Sequence, residues 1–170
     1  TAAALACSPV PVCAAITGHS PAGGAVMALM CDYRVMAQGP YKIGLNEVQV
    51  GLAVPDCIQL ALRRVVGTYR AERLLVAGAM IDAQHALDCG FVDETTGIDQ
   101  LATRALHWMH ELLALPPHAM LATRRVARAD LVATYADVDA LPVADFVEGF
   151  YHPQTQATLQ ALVAKLKGKG

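Results

Sequence analysis

A buried strand, a glycine turn, a short apolar helix and a second strand follow one another closely near the start of the chain. Residues 10–17 (VPVCAAIT) form an apolar run rich in strand formers, which is typical of a buried parallel strand. The turn through Gly23 and Gly24 opens an apolar helix that we expect to end near Met30, and Tyr33–Ala37 (YRVMA) reads as the next strand. This order predicts an α/β architecture.

The second half of the chain is predicted to be mostly helical. The following segments are expected: a helix capped by Asp56 and ending at Gly67, helices over 70–77 and from Asp82 to Gly90, an exposed turn or short strand at 91–94, a long helix capped by Asp99 and stopped by Pro116 and Pro117, one basic helix over 118–135, and helices over 141–150 and 155–167. We therefore divide the chain into an α/β part, residues 1–97, and a helical part, residues 98–170.

Composition narrows the classes of function. Hydrophobic residues make up 55% of the chain and charged residues 16%, which excludes a disordered chain and suggests surface buried against partner subunits or a missing part of the protein. The net charge of -2 does not indicate the excess of basic residues that nucleic-acid-binding proteins carry, so we do not expect nucleic acid as a partner. No apolar run is long enough to span a membrane, and the five cysteines form no metal-binding pairs, so we interpret them as free thiols, mostly buried.

The glycine turn, residues 21–24 (PAGG), is the first candidate site. Glycine lets a substrate approach the backbone closely, and a helix start leaves unpaired N–H groups with positive partial charge. Such a place can hold a phosphate or a developing oxyanion. Taken alone, the turn fits glycines needed only for packing better than it fits a binding site.

Glu47 is the second candidate. It stands among apolar residues in the segment IGLNEV and is the only carboxylate between Asp32 and Asp56. An apolar setting should raise the pKa of its carboxyl and suit it to proton transfer. By itself the residue could also be an exposed or helix-capping glutamate.

Three motifs in order, PAGG at 21–24, CDYR at 31–34 and GLNE at 44–47, resemble the enoyl-CoA hydratase/isomerase (crotonase) superfamily. The similarity continues through residues 67–94 and into the basic end of the chain, and it is strongest to the Δ3,Δ2-enoyl-CoA isomerases. It implies the crotonase spiral core over 1–97, followed by a helical region over 98–170 that serves oligomerisation and the CoA site. The family carries a further segment upstream, with a second oxyanion donor and much of the adenine pocket, so we expect the N-terminal part of the fold to be missing here.

The resemblance also assigns roles to individual residues. Glu47 would transfer the proton, and the N–H of Gly23 would bind the thioester oxygen. The acyl-CoA would be held by Gly23, Gly24, Val26, Asn46 and Leu52, with Lys165 near the CoA phosphates. No cofactor and no metal is implied, because CoA is part of the substrate. Homotrimers or hexamers are expected.

Val26 decides between two reactions of this superfamily. The hydratases have a second glutamate just after the glycine turn, where this chain has Val26. Adding water favours two carboxylates, whereas moving a double bond needs one base. The sequence therefore predicts that 3-enoyl-CoA becomes trans-2-enoyl-CoA, as in fatty-acid β-oxidation. A hydratase or other crotonase reaction, and a truncated non-catalytic protein, are the alternatives.

The remaining charged residues have structural interpretations. Asp32 and Arg34 are expected to pair with each other. Arg124, Arg125 and Arg128 are expected to form a solvated basic face, or else to contact CoA phosphates or a neighbouring subunit. His107 and His110 lie on one helix without a third metal ligand. The composition suggests a bacterial cytoplasm, with the mitochondrial matrix or the peroxisome as the eukaryotic equivalents.

Overall fold

The computed structural model describes residues 1–167 and contains two small sheets. The first sheet has the order β1-β3-β6 and is parallel throughout: β1 is Cys13–Ile16, β3 is Tyr33–Ala37 and β6 is Glu94–Thr96. The second sheet has the order β2-β4-β5: β2 is Ser20–Pro21, β4 is Lys42–Gly44 and β5 is Ile81–Asp82. β2 and β4 are parallel, with Pro21 paired to Gly44, and β5 runs antiparallel to β4.

Ten α-helices are present among the described residues. In chain order they are α1 Ala2–Ala6, α2 Gly23–Leu29, α3 Asp56–Val66, α4 Thr68–Ala77, α5 Ala83–Asp88, α6 Leu101–Leu113, α7 Pro117–Ala127, α8 Ala129–Tyr135, α9 Val143–Tyr151 and α10 Pro153–Lys167. A short 3-10 helix, Glu47–Val50, follows β4. The predicted α/β architecture followed by helices is confirmed, and the division between residues 97 and 98 stays a prediction.

The main core joins α2, α3, α4 and α5 to both sheets. Its largest fully buried side chains include Met30, Met36, Ile43, Leu62 and Phe91. The continuous burial of Val35, Met36 and Ala37 in β3 explains the unbroken apolar run, since this central strand is covered on both faces. Trp108 of α6 stacks on Tyr33 of β3 with ring centroids 4.6 Å apart, which fixes α6 against the first sheet.

Several helix ends differ from the sequence prediction. The helix predicted over 118–135 is two helices that meet at Arg128, and Pro117 is the first residue of α7, where its missing N–H costs nothing. Asp56 is the first residue of α3 rather than its cap, and Gln100 rather than Asp99 precedes α6. The cap at Asp82 is confirmed, because its carboxylate accepts a hydrogen bond from the His85 N–H at 2.8 Å.

The segment 91–94, predicted as an exposed turn or short strand, is buried in its first half and becomes a strand at its last residue. Phe91 and Val92 are both 1% exposed and pack in the main core, and the strand begins only at Glu94. The two acidic residues that follow them, Asp93 and Glu94, suggested a solvated surface. Instead Asp93 binds Arg34 and Glu94 binds Arg104, so the charges are paired at the sheet edge.

The predicted Asp32–Arg34 pair is wrong. Arg34 binds Asp93, while Asp32 accepts two hydrogen bonds from Arg124, at 2.7 and 2.9 Å, and lies 3.3 Å from Arg128. Asp32 precedes β3 and Arg34 lies within it, and each binds a residue from a distant part of the chain: Asp32 binds Arg124 of α7, and Arg34 binds Asp93 just before β6. Arg124 and Arg128 are thus partly or fully buried, and of the predicted basic face only Arg125 is exposed.

Candidate active site

The glycine turn and the Glu47 segment leave the same edge of the second sheet. β2 and β4 are parallel, so their carboxyl ends lie side by side, with Ala22 following one and Leu45 following the other. The Ala22 N–H donates a hydrogen bond to the Gly44 carbonyl at 2.9 Å, which continues the pairing one residue beyond Pro21. The two predicted catalytic segments are therefore joined at their bases.

The two glycines of the turn have different reasons to be glycine. A Cβ on Gly24 would lie 2.6 Å from the Ser20 Oγ, so packing excludes a side chain there. A Cβ on Gly23 would meet no atom within 4 Å, and its φ is not in the left-handed region. Gly24 therefore fits the packing interpretation of the turn, whereas Gly23 leaves open space beside the start of α2.

Ala22 carries backbone strain at this turn. Its φ of 45° makes it the one residue other than glycine with a positive φ among those described. Strained backbone of this kind persists only where the surrounding structure holds it, and it concentrates at functional sites. The Ala22 carbonyl accepts the Val26 N–H at 2.9 Å, so the strained peptide is held from both sides. No local pattern indicates this strain, since an alanine before two glycines has no characteristic signature.

Glu47 is buried at the first position of the 3-10 helix. It is 7% exposed, and its Oε2 has no hydrogen-bond partner. Burial raises the pKa of the Glu47 carboxyl, and a hydrogen bond from its own backbone N–H has a smaller effect in the opposite direction. The apolar context had predicted this direction. A carboxylate whose pKa is raised by burial accepts a proton more readily than an exposed one, and the same group can then return that proton.

Asn46 lies next to Glu47 and has a similarly unsatisfied side chain. Its Oδ1 is buried without a hydrogen-bond partner. Unpaired buried polar atoms are costly, so two on consecutive residues mark this place as one that a polar ligand can complete.

Of the other predicted binding residues, Val26 and Leu52 lie on segments that leave this edge, whereas Lys165 lies at the far end of α10. Val26 is half-buried and packs against the main core one turn into α2. Leu52 is buried and its N–H donates to the Glu47 carbonyl at 3.0 Å. Lys165 is exposed in the last turn of α10, whose first turn is fixed near Gly51 by Thr155. The binding roles of these residues stay predictions.

Helix α10 also reaches this edge, through Thr155, a residue that the sequence did not single out. Thr155 is buried, and its hydroxyl donates to the Gly51 carbonyl at 2.9 Å. Gly51 has a φ of 84°, and a Cβ there would lie 2.9 Å from the Thr155 Oγ1, so the glycine allows both the turn and the close approach of α10.

Metal and membrane sites find no support within residues 1–167. No group of three or more histidine, cysteine and acidic side chains is arranged to hold an ion. Of the helices in the same range, none combines the length and the apolar character that a membrane span needs. All five cysteines are free: three are buried, Cys13 is half-buried and Cys7 is exposed.

Comparisons with known proteins agree with the predicted resemblance. The family described as "Enoyl-CoA hydratase/isomerase" matches residues 2–169. The chain is 37% identical over 157 residues to human mitochondrial enoyl-CoA delta isomerase 1, covering 90% of this chain and 51% of that protein. It is 35% identical over 121 residues to a probable enoyl-CoA hydratase of Mycobacterium tuberculosis, covering 71% of this chain and 46% of that one.

Solved structures give the same result. The crystal structure of human mitochondrial delta3-delta2-enoyl-CoA isomerase superposes with a TM-score of 0.88 at 34% identity, covering 99% of this chain and 66% of that one. The chain thus spans about half the length of the sequence relatives it matches. Relatives occur in mitochondria and in bacteria, so the compartment stays a prediction.

Proposed function

The chain belongs to the enoyl-CoA hydratase/isomerase family and has the crotonase fold, and on that premise we propose that it converts 3-enoyl-CoA to trans-2-enoyl-CoA. One observation carries the proposal: Glu47 is buried, its Oε2 lacks a partner and its pKa is raised. The carboxylate can remove a proton from C2 and return the same proton at C4. The double bond moves from C3–C4 to C2–C3 with no net gain or loss of atoms, so no cofactor is needed.

The intermediate of this reaction is a dienolate whose negative charge lies largely on the thioester oxygen. We assign the Gly23 N–H as a donor to that oxygen, because the open space beside Gly23 lets the thioester reach the backbone. Hydrogen bonds from the Ala22 N–H to the Gly44 carbonyl and from the Val26 N–H to the Ala22 carbonyl hold this strained peptide in place. Loss of one such donor typically lowers the rate by about 10²–10³-fold.

A second carboxylate at the turn is what a hydratase would require. Within residues 1–55 the acidic residues are Asp32 and Glu47 alone, and Asp32 is bound by Arg124 and Arg128. Val26 presents an apolar side chain one turn into α2. The similarity to probable mycobacterial hydratases keeps hydration as the second candidate reaction, while Val26 and the engagement of Asp32 favour the isomerase.

The remaining binding roles are part of the same proposal. Gly24, Val26, Asn46 and Leu52 would line the acyl side of the site, and Lys165 would meet the CoA phosphates. Assembly into trimers or hexamers would cover the exposed apolar side chains of α6 and α7, such as Leu113, Leu121 and Val126. Light scattering measures that assembly directly.

The test is the rise of 2-enoyl-CoA absorbance from a medium-chain 3-enoyl-CoA. We expect Glu47→Gln to lower kcat by about 10²–10⁴-fold, the usual contribution of a general acid–base residue. Glu72→Gln makes the same chemical change at an exposed position and should leave kcat unchanged. Near-full activity of Glu47→Gln would refute the assignment. Loss of 2-enoyl-CoA absorbance in water would identify a hydratase instead, and no turnover of either substrate by the folded protein would favour a non-catalytic chain.

A further inference from the structure

A cleft of about 310 Å³ lies between the segment that follows the 3-10 helix and helix α9. Its walls come from Leu52, Ala53 and Pro55 on one side and from Phe146 and Gly149 on the other, with Pro142 at one end. Two carboxylates, Asp56 and Asp145, also line it. Its volume is at the lower end of the range for small-molecule sites.

One wall of this cleft belongs to the chain segment that follows Glu47. The Leu52 N–H donates to the Glu47 carbonyl at 3.0 Å, so the first wall residue is held directly to the backbone of the proposed base. The opposite wall is fixed as well, because Thr155, just after α9, donates to the Gly51 carbonyl at 2.9 Å. Hydrogen bonds therefore hold both sides of the cleft to the backbone of the segment that carries Glu47.

Gly149 is unexplained by the packing of its own helix. It lies in the second half of α9, Val143–Tyr151, where glycine is less favourable than alanine by about 0.5–1 kcal/mol. Its φ is not in the left-handed region, and a Cβ there would meet only the Leu52 Cδ2, at 3.9 Å, an ordinary contact. Neither the backbone nor a clash requires glycine here. What the missing side chain leaves is open space in the cleft.

The charges of the cleft indicate which end of an acyl-CoA it can hold. Asp56 and Asp145 would repel the phosphates of CoA, and no cationic side chain lines the cleft within the described residues. The other lining residues are apolar. An uncharged hydrocarbon chain can therefore occupy the cleft while the exposed carboxylates of Asp56 and Asp145 remain in contact with water.

We propose that this cleft binds the hydrocarbon end of the acyl group and that Gly149 determines how long that end can be. The inference rests on the proposed function, because it takes an acyl-CoA as the ligand and Glu47 as the reacting group. A side chain at position 149 would fill the far part of the cleft. Phe146 forms the neighbouring wall, so its removal would have the opposite effect on chain length.

The experiment compares Gly149→Leu with Ala144→Leu, which adds leucine to an exposed position of the same helix outside the cleft. Affinities for saturated butanoyl-, octanoyl- and dodecanoyl-CoA are measured by calorimetry. For the unmodified protein we expect affinity to rise by up to about fourfold for each methylene that enters the cleft. Gly149→Leu should lose this rise for the longer chains, by about tenfold or more, and should keep the affinity for butanoyl-CoA.

Two outcomes would overturn the inference: an unchanged chain-length profile in Gly149→Leu, or an equal change in Ala144→Leu. Gly149→Leu is expected to fold, because it improves helix propensity and its Cβ meets no close atom. Phe146→Ala provides a second test and should shift the preference towards longer chains.

Failure of the proposed reaction is distinguishable from failure of this inference, because saturated acyl-CoA binds without turnover. A normal chain-length profile that depends on Gly149, in a protein that does not isomerise, would support the cleft and refute the reaction. If isomerisation depends on Glu47 but the chain-length dependence of acyl-CoA affinity does not change in Gly149→Leu, only the proposal that the cleft binds the acyl chain would be refuted.

Discussion

The N–H of Ala22 donates a hydrogen bond to the carbonyl of Gly44 at 2.9 Å, and this bond joins the two halves of the candidate site. Ala22 begins the turn that carries Gly23, and Gly44 begins the segment that carries Glu47. Because both residues extend parallel strands, a small rotation of the Ala22 peptide would change the direction of the Gly23 N–H relative to Glu47. The strained φ of 45° at Ala22 is the local cost of this arrangement.

Replacing Ala22 by glycine should separate stability from activity. Glycine adopts a positive φ freely, so we expect Ala22→Gly to be as stable as the unmodified protein or up to about 2 kcal/mol more stable. Its kcat should fall, because the peptide that orients the Gly23 N–H is less restrained. Denaturant unfolding and turnover measure the two effects. As a control, Ala161→Gly at an exposed position within α10 should lower the free energy of unfolding by about 1 kcal/mol and leave kcat unchanged. An unchanged kcat in Ala22→Gly would show that the strain at Ala22 has no functional role.

Alanine at position 23 should remove activity without unfolding the protein. Its Cβ would meet no atom of the chain within 4 Å but would occupy the space through which a thioester reaches the backbone. We expect kcat/KM to fall by about 10²-fold, with a change in the free energy of unfolding within about 0.5 kcal/mol. Gly44→Ala is the contrasting variant, because its Cβ would overlap the Ala79 carbonyl oxygen and should cost about 1–3 kcal/mol or more. Full activity in Gly23→Ala would argue against close approach of a substrate there.

The stability of the protein should depend on pH through Glu47. Burial raises the pKa of its carboxyl in the folded state, so the folded protein binds more protons than the unfolded chain between the ordinary carboxyl pKa and the raised one. The contribution of Glu47 to stability is complete below the ordinary pKa and is lost as pH rises through the raised value. Glu47→Gln stays neutral, so its stability relative to the unmodified protein should increase with pH across that window. Urea unfolding from pH 4 to pH 8 measures the difference, and a difference independent of pH would mean that the carboxyl is not perturbed.

Asp32 should be the most sensitive acidic residue for stability. Its carboxylate binds Arg124 and Arg128 and accepts the Val12 N–H at 2.8 Å, and all three charged side chains are nearly buried. Asp32→Asn would leave two buried guanidinium groups without a counter-charge, at a cost of about 3–5 kcal/mol. The matched control is Asp130→Asn, which removes the exposed partner of Arg64 and should cost about 1 kcal/mol or less. If urea unfolding gave the same loss of unfolding free energy for Asp32→Asn and Asp130→Asn, the ion pairs of Asp32 would contribute no more to stability than an exposed pair.

Much of the candidate site could be read from local sequence. The apolar runs of β1 and β3, the glycines that open α2 and the isolated acidic residue at position 47 are properties of a few neighbouring residues. Each predicts a strand, a turn or a perturbed carboxyl without reference to the rest of the chain. The three motifs then placed these segments in one superfamily, and the family match over residues 2–169 confirmed that placement.

Other features required contacts between residues far apart in the chain. Asp32 and Arg124 are separated by 92 positions, so no local pattern could show that Asp32 pairs with α7 rather than with Arg34. Phe91 and Val92 pack in the main core, where the Val92 N–H donates to the Ala86 carbonyl of α5, although acidic residues follow them in the chain.

The sequence by itself determined the segments that carry the chemistry, because strand, turn and helix-start preferences act over a few residues. Only the tertiary structure decided that Ala22 is strained, that Glu47 Oε2 is left unpaired and that α9 faces Leu52 across a cleft. These properties depend on the packing of elements that meet after the chain has folded back on itself, and packing is set by the combined shape of distant side chains.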